Sequence, residues 1–165
     1  MLLDEFKKKI KFPLRQANLV FLVRGDQVLL AMKKRGFGEG KWNGVGGKPN
    51  KSETIYEAAL RETQEEINVE VKKLEQVATL DFYFLDEPVS KGWNQQVVVY
   101  LAREWVGEPS ESEEMKPKWF RVSELPLDDM WSDDKHWLPI ILAGKKLEAE
   151  FAFDTSGEVA ESSIC

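Results

Sequence analysis

Gly47, Glu53, Arg61, Glu62, Glu65 and Glu66 form the densest group of chemically capable residues in the chain. Positions three and four apart share one face of a helix, so Glu62, Glu65 and Glu66 are expected to converge if residues 61–66 are helical. Three carboxylates held that close repel one another, and a cation among them removes the penalty. Hard oxygen ligands suit Mg²⁺, with Mn²⁺ as the alternative, and such ions take phosphate oxygens as further ligands. Arg61 adds a guanidinium able to grip a neighbouring carboxylate with two hydrogen bonds. The competing reading is a solvated acidic helix face, against which stand the glycine-rich loop upstream and Arg61 itself. His136 is the only histidine and Cys165 the only cysteine. Histidine-pair and cysteine-cage metal motifs are therefore excluded, and carboxylates must carry any metal chemistry.

These residues need a scaffold, and the remaining sequence provides an α+β one. At 165 residues, with 42% hydrophobic and 32% charged, the chain fits one domain over 1–165. The predicted elements begin with a short amphipathic arm at 1–17, lacking the unbroken apolar run of a signal peptide. Residues 18–23 and 27–32 are rich in Val, Leu and Phe around a turn at Arg24-Gly25-Asp26 and read as a β-hairpin. Residues 33–48 are too dense in glycine for a helix and read as loop with room for one short strand. Thr54 and Glu57 form a capping-box pattern, and Ile55, Ala58, Ala59 and Ile67 follow at helical spacing, which predicts a helix over 55–67 stopped by Asn68 in a left-handed conformation. Further strands are predicted at 77–85, 96–105, 118–122 and 147–153, with a helix at 135–143. The polar tail, 154–165, reads as a frayed end or a weak edge strand.

The formal net charge of −6 is a poor match to a nucleic-acid backbone, so no nucleic-acid partner is expected. No stretch approaches the ~18 apolar residues of a spanning helix, so no membrane partner is expected either. A single cysteine fits a reducing cytoplasmic compartment. The run ending Gly47-Lys48 is not a P-loop, because Trp42 stands where the first glycine is needed and Pro49 where Ser or Thr is needed. The glycines at 36–40 have no kinase partner motifs downstream.

Gly47-x5-Glu53-x7-Arg61-Glu62-Thr63-x-Glu65-Glu66-x-Asn68-Val69 resembles the Nudix box, GX5EX7REUXEEXGU, and seven of nine defined positions agree. The departures are Thr63 for an aliphatic residue and Asn68 for glycine. Asn is the best non-glycine residue in a left-handed cap, and Thr63 removes no ligand. The loop from Lys33 to Lys48, the segment Glu111 to Phe120 and the segment Asp129 to Trp137 are in addition similar to the MutT-type oxidised-purine nucleoside triphosphatases, so the likeness runs from Asn18 to Phe153.

This resemblance implies a Nudix fold, a mixed β-sheet sandwiched between α-helices, and a Mg²⁺-dependent hydrolase. Its substrate would be a small oxidised purine nucleoside triphosphate such as 8-oxo-dGTP or 2-oxo-dATP, cut to the monophosphate and pyrophosphate. Glu62 and Glu66 would hold the metal with the Gly46 carbonyl, Glu65 would be a further ligand or the base, and Glu114 would complete the site. Arg61 and Glu53 would belong to the same catalytic group. Asp133 and Asp134 would lie in a tryptophan-walled base pocket, where two close carboxyls cannot both ionise easily, so that one keeps a proton. Asn43 would read the base, Trp131 and Phe82 would stack on it, and Phe37, Gly46 and Gly47 would be further contacts. Lys33 is a candidate for the phosphate chain, as is Lys48. Asn18, at a position where the resembling enzymes carry a hydroxyl, and a longer loop at 86–95 bear on base preference. Other Nudix substrates, such as a methylated purine triphosphate or a dinucleoside polyphosphate, and a nucleotide-sensing module without turnover are the alternatives. The expected state is a monomer.

Overall fold

A computed structural model describes residues 3–11, 13–85, 87 and 93–165. A short helix α1 (Leu3–Lys7) leads into β1 (Arg15–Arg24) and β2 (Gln27–Lys33), then a two-residue strand β3 (Trp42–Asn43) within the glycine-rich segment. Helix α2 (Ile55–Ile67) follows, then β4 (Glu70–Val71), β5 (Glu75–Phe84), β6 (Gln95–Ala102), β7 (Trp105–Val106) and β8 (Met115–Arg121). Helix α3 (Asp134–Leu142), β9 (Leu147–Phe153) and β10 (Val159–Ile164) complete the chain.

The sheet is mixed. Strands run in the order β10-β9-β5-β6-β1-β2-β3, with β8 paired to β2; β9 is parallel to β5 and β6 to β1, while the other pairings are antiparallel. Alternation along each strand divides the apolar side chains between two layers. Phe21, Leu30, Val97 and Val99 face α3, where they pack with Trp137, Leu138 and Ile141. Val20, Leu22, Val98 and Tyr100 face α2, where they pack with Ala59 and Ile67. The sheet is thus buried on both faces, and each fully buried Leu or Ile contributes roughly 1.5–3 kcal/mol. This is the α+β sandwich the sequence implies.

The expected hairpin forms, but it is short. β1 and β2 pair only beside their turn, at Val23 with Val28 and Arg24 with Gln27. β2 then diverges to pair with β8 over residues 27–33. The vacated edge of β1 is filled by the glycine-rich segment: Val20 and Val45 exchange backbone hydrogen bonds of 2.6 and 3.0 Å, and Asn18 N–H donates to Gly47 O at 2.9 Å. β1 is buried on successive residues, so it needs neighbours on both edges, and its main partner is β6. Glycine is required for such close approach. A Cβ at Gly44 would lie 2.9 Å from the Phe21 ring, and one at Gly46 would collide with the Asn18 carbonyl oxygen.

Helix α2 has the expected ends. The Thr54 hydroxyl accepts from Glu57 N–H, Glu57 accepts from Thr54 N–H, and Asn68 closes the helix at φ 61° with its N–H on Gln64 O. Of the two readings for the tail, the edge strand is the one formed, β10 pairing antiparallel with β9. The arm at 1–17 contributes α1, whose Leu3 and Phe6 pack on Tyr83 and Ala152, and the first residues of β1.

Candidate active site

The loop after β3 and the helix α2 meet at two glycines. Glu62 lies over Gly47 so closely that a Cβ there would sit 2.7 Å from its carboxyl carbon. Glu66 reaches the loop from the next turn, accepting from Gly46 N–H at 3.0 Å. Arg61 ties the group together. Its Nε and Nη2 grip both oxygens of Glu53 at 2.7 and 2.9 Å, its Nη1 reaches Glu62 at 2.9 Å and Glu65 at 3.2 Å, and Nη2 also donates to Lys48 O. Glu53 further accepts from Asn50 N–H at 2.8 Å, so the hydrogen bonds from Arg61 and Asn50 bring its carboxyl down to about 2.

Glu66 is in the opposite condition. Burial pushes its carboxyl up to about 8; Glu62 and Glu114 add to the rise, and the Gly46 N–H and Lys33 oppose it. Burial raises Glu62 as well, against the pull of Arg61. Glu114 is exposed and held down by Arg35, which donates to it at 2.6 and 3.2 Å.

The expected convergence of Glu62, Glu65 and Glu66 is met only in part. They share one side of α2, but each has been taken by a nearer donor: Glu62 and Glu65 by Arg61, Glu66 by Gly46, and Glu114 by Arg35. Glu65 is 58% exposed. Among the described residues, no three acids gather tightly enough to cage an ion in this arrangement. The donor chemistry still fits a hard divalent cation. All the side chains are carboxylates, the Gly47 cradle seats one of them without a Cβ in the way, and Glu66 is buried beside two other acids with only the Gly46 N–H and Lys33 against them.

A cavity of about 310 Å³ opens beside the same glycines. Asn18, Lys33, Phe37, Asn43, Gly46, Gly47, Lys48, Phe82, Trp131, Asp133 and Asp134 all line it, so every residue expected to bind substrate has a place in its wall. Trp131 is held as a wall: Phe37 stacks on it at 5.2 Å, Lys41 Nζ sits 5.2 Å from its ring centre, and a Cβ at Gly38 would meet it at 3.2 Å. Phe82 stacks on Phe151 at 5.9 Å and is both core and wall. Asn43 spends its Oδ1 on Gly44 N–H at 2.8 Å.

Asp133 and Asp134, 4% and 2% exposed, are not a surface acidic pair. Asp133 occupies the N-cap position of α3 yet makes no side-chain cap bond. It accepts instead from Trp137 Nε1 at 2.7 Å, and Asp134 accepts from Trp131 N–H at 3.2 Å. Burial and the neighbouring Asp133 carboxylate push Asp134 far above the usual carboxylate range, and burial raises Asp133 too. One proton on Asp134, shared with Asp133, is the low-energy state of the pair.

Lys41, Phe84, Gln95, Phe153 and Gly157 also line the cavity and were not foreseen. Phe84 had a signal, since it lies two residues from Phe82 and so on the same strand face. Lys41, whose charge acts on Asp134, had none in its loop sequence. Most of the loop at 86–95 lies outside the described residues.

A family model described as the NUDIX domain matches residues 13–140. The chain is 39% identical over 150 residues to the oxidized purine nucleoside triphosphate hydrolase of Mus musculus, covering 91% of this chain and 94% of the mouse protein. It is also 39% identical over 153 residues to the protein of the same name in Danio rerio, covering 93% and 96%. Among solved structures, a MutT protein from Bacillus halodurans superposes with a TM-score of 0.77 at 27% identity, covering 92% of this chain and 97% of that one. With the loop-helix geometry, the buried acid pair and these likenesses together, the chain belongs to the Nudix family.

Proposed function

We propose that this protein hydrolyses oxidised purine nucleoside triphosphates, 8-oxo-dGTP and 2-oxo-dATP among them, to the monophosphate and pyrophosphate, and so clears them from the nucleotide pool. The observation that carries the reading is the buried Asp133–Asp134 pair in the wall of a cavity that also reaches Gly46 and Gly47, the glycines against which Glu66 and Glu62 of α2 lie. The mouse and zebrafish proteins that this chain resembles over nearly their whole length are named for the same activity.

At the base end, the protonated Asp134 can donate to a purine carbonyl while Asp133 accepts from a ring N–H or amino group. That combination complements an oxidised base, whose added carbonyl converts a neighbouring ring nitrogen from acceptor to donor. Trp131 supplies a flat apolar face and the Asn43 amide a free donor. At the phosphate end, Lys33 faces Glu66 and the cavity, and Lys48 lines the same wall. Burial lowers the Lys48 ammonium, with Arg15 acting in the same sense.

Nudix hydrolases work with a divalent cation, here Mg²⁺, with Mn²⁺ able to substitute. Glu62, Glu66, Glu65 and Glu114 would hold it with the Gly46 carbonyl. When bound, it neutralises phosphate charge and makes water more acidic. The chain's own contribution is positioning. Arg61 fixes Glu53 and Glu62 in one rigid cluster, the glycine loop lets backbone approach substrate, and a glutamate of α2 takes a proton from the attacking water. A cytoplasmic location fits the lone cysteine.

The deciding measurement is kcat/KM for 8-oxo-dGTP and dGTP in parallel with Mg²⁺, following monophosphate release. A preference of about 100-fold or more for the oxidised nucleotide is expected. Equal slow rates would retain the hydrolase and reject the oxidised-purine reading.

A further inference from the structure

The segment 131–134 carries the Trp131 wall and the acid pair, so its placement sets the shape of the base end of the cavity. Its hydrogen bonds are mostly its own. Asp133 stands at the N-cap position of α3 without a side-chain cap bond and spends its carboxylate on Trp137 Nε1 of the same helix. Asp134 accepts from Trp131 N–H, and its own N–H donates to Trp131 O at 3.1 Å, both inside the segment. Among the described residues, one hydrogen bond ties 131–134 to an element other than α3: the Ser132 hydroxyl donates to Gly157 O at 2.9 Å.

Gly157 lies in the turn between β9 and β10 and lines the cavity with Phe153, whereas Ser132 stands outside the lining. The turn is braced from within. Asp154 Oδ1 accepts from Ser156 N–H at 2.9 Å, from the Ser156 hydroxyl at 2.5 Å and from Glu158 N–H at 3.1 Å, and Gly157 takes the positive φ of 81° that closes it. Phe37 and the Lys41 ammonium also rest on Trp131, but stacking tolerates sliding, and a hydrogen bond fixes distance and direction. Ser132 is thus the directional link between the two walls of the base end.

We propose that Ser132 is a positioning residue for base binding: by holding Gly157 O it keeps Trp131, Asp133 and Asp134 in the arrangement that receives a purine. The inference rests on the cavity being the purine site. Ser132 touches no substrate and acts through its neighbours on either side. Recognition by hydrogen bonds from the acid pair requires placement to within about half an ångström, so losing this link costs more in purine affinity than in fold stability. The phosphate end is held by Arg61 and the glycine loop, and binding there is independent of Ser132.

The test is calorimetric binding of 8-oxo-dGMP, dGMP and inorganic pyrophosphate, with Mg²⁺, to the wild-type protein, Ser132→Ala and Ser132→Thr, together with the Tm of each. Comparing 8-oxo-dGMP with dGMP on the wild type tests the oxidised-purine reading. The tighter of those two is then the ligand on which Ser132 is judged. Ser132→Ala should bind it about fivefold or more weakly, keep pyrophosphate within about twofold and lose no more than about 4 °C in Tm. Ser132→Thr, which retains the hydroxyl, should return purine affinity to within about twofold of wild type. Purine affinity within about twofold of wild type in Ser132→Ala, equal losses for purine and pyrophosphate, or a loss in Ser132→Thr as large as in Ser132→Ala each overturns the proposal.

Discussion

The two ends of the cavity treat the same chemical group in opposite ways. Around α2, Arg61 and the Asn50 N–H keep Glu53 ionised down to about 2, and the acids there form a charged network open to solvent at Glu65. At the start of α3, Asp133 and Asp134 are walled in by Trp131 and Trp137 with, among the described residues, no cation in hydrogen-bonding contact, and burial keeps a proton on the pair. Glu66 lies between these extremes, buried like the aspartates but placed where a divalent cation would return it to the charged form. The difference teaches that residue type sets what a carboxyl can do, and its neighbours decide whether it serves as anion or as hydrogen-bond donor.

The largest effect should come from breaking the charged end alone. Glu66→Gln keeps shape and hydrogen-bonding capacity but removes the charge, so kcat should fall about 10³-fold while 8-oxo-dGMP binding stays within about twofold. Chelation by EDTA should match that loss in the unmodified protein. Retained activity in Glu66→Gln would remove this residue from the catalytic group. Next in size, Asp134→Asn breaks the neutral end. The preference for the oxidised nucleotide should drop about 100-fold, with the rate on the ordinary nucleotide little changed.

The same two ends predict opposite dependences of stability on pH. Asp134 has a folded-state pKa raised above its unfolded value, so the folded state binds the extra proton. Stability from this group is complete below about pH 4 and is lost as the pH rises from there toward the folded pKa. Asp134→Asn should remove that loss and raise Tm at pH 7. Glu53 is depressed to about 2, so its contribution is present above about pH 4.5 and disappears as the pH falls toward 2. Glu53→Gln should flatten this acid limb and reduce kcat roughly tenfold through a loosened Arg61. Parallel thermal melts from pH 2 to 8 on both variants check the signs; matching slopes would abolish the contrast.

Local signals were legible where the physics is local. The capping box at Thr54 and the left-handed Asn68 mark α2 almost to the residue, and the acids on its face were found from spacing. Pairing was not legible. Val20, Phe21 and Leu22 mark β1 as a strand buried on both faces, but nothing in their order says that residues 45–47 rather than β2 flank it. The acid pair needed the family likeness, because two aspartates before a helix read as ordinary surface residues until burial is known. Lys41 reaches Trp131 through loop geometry that periodicity does not encode. The carboxylates' present partners were missed for a similar reason, since Arg35 reaches Glu114 across 79 residues of sequence.

The smallest effect is expected at Thr63, on the face of α2 turned away from the chemistry. This residue is fully buried, and its hydroxyl donates to Ala59 O at 2.7 Å, one turn back along the same helix. Ala59 O lies in the helix interior, so it retains a backbone donor when the hydroxyl is removed. Thr63→Val exchanges that hydroxyl for a methyl group in an apolar layer formed with Ala59 and Ile67. The net change should stay within about 1 kcal/mol and favour the fold, because a hydroxyl bonded back to the preceding turn slightly destabilises a helix. Tm should rise by no more than about 4 °C and kcat/KM should be unchanged. A larger change in kcat/KM would mean that the buried face of α2 steers Glu62 and Glu66. The charged end would then depend on core packing as closely as the neutral end does, and the contrast between the two would narrow.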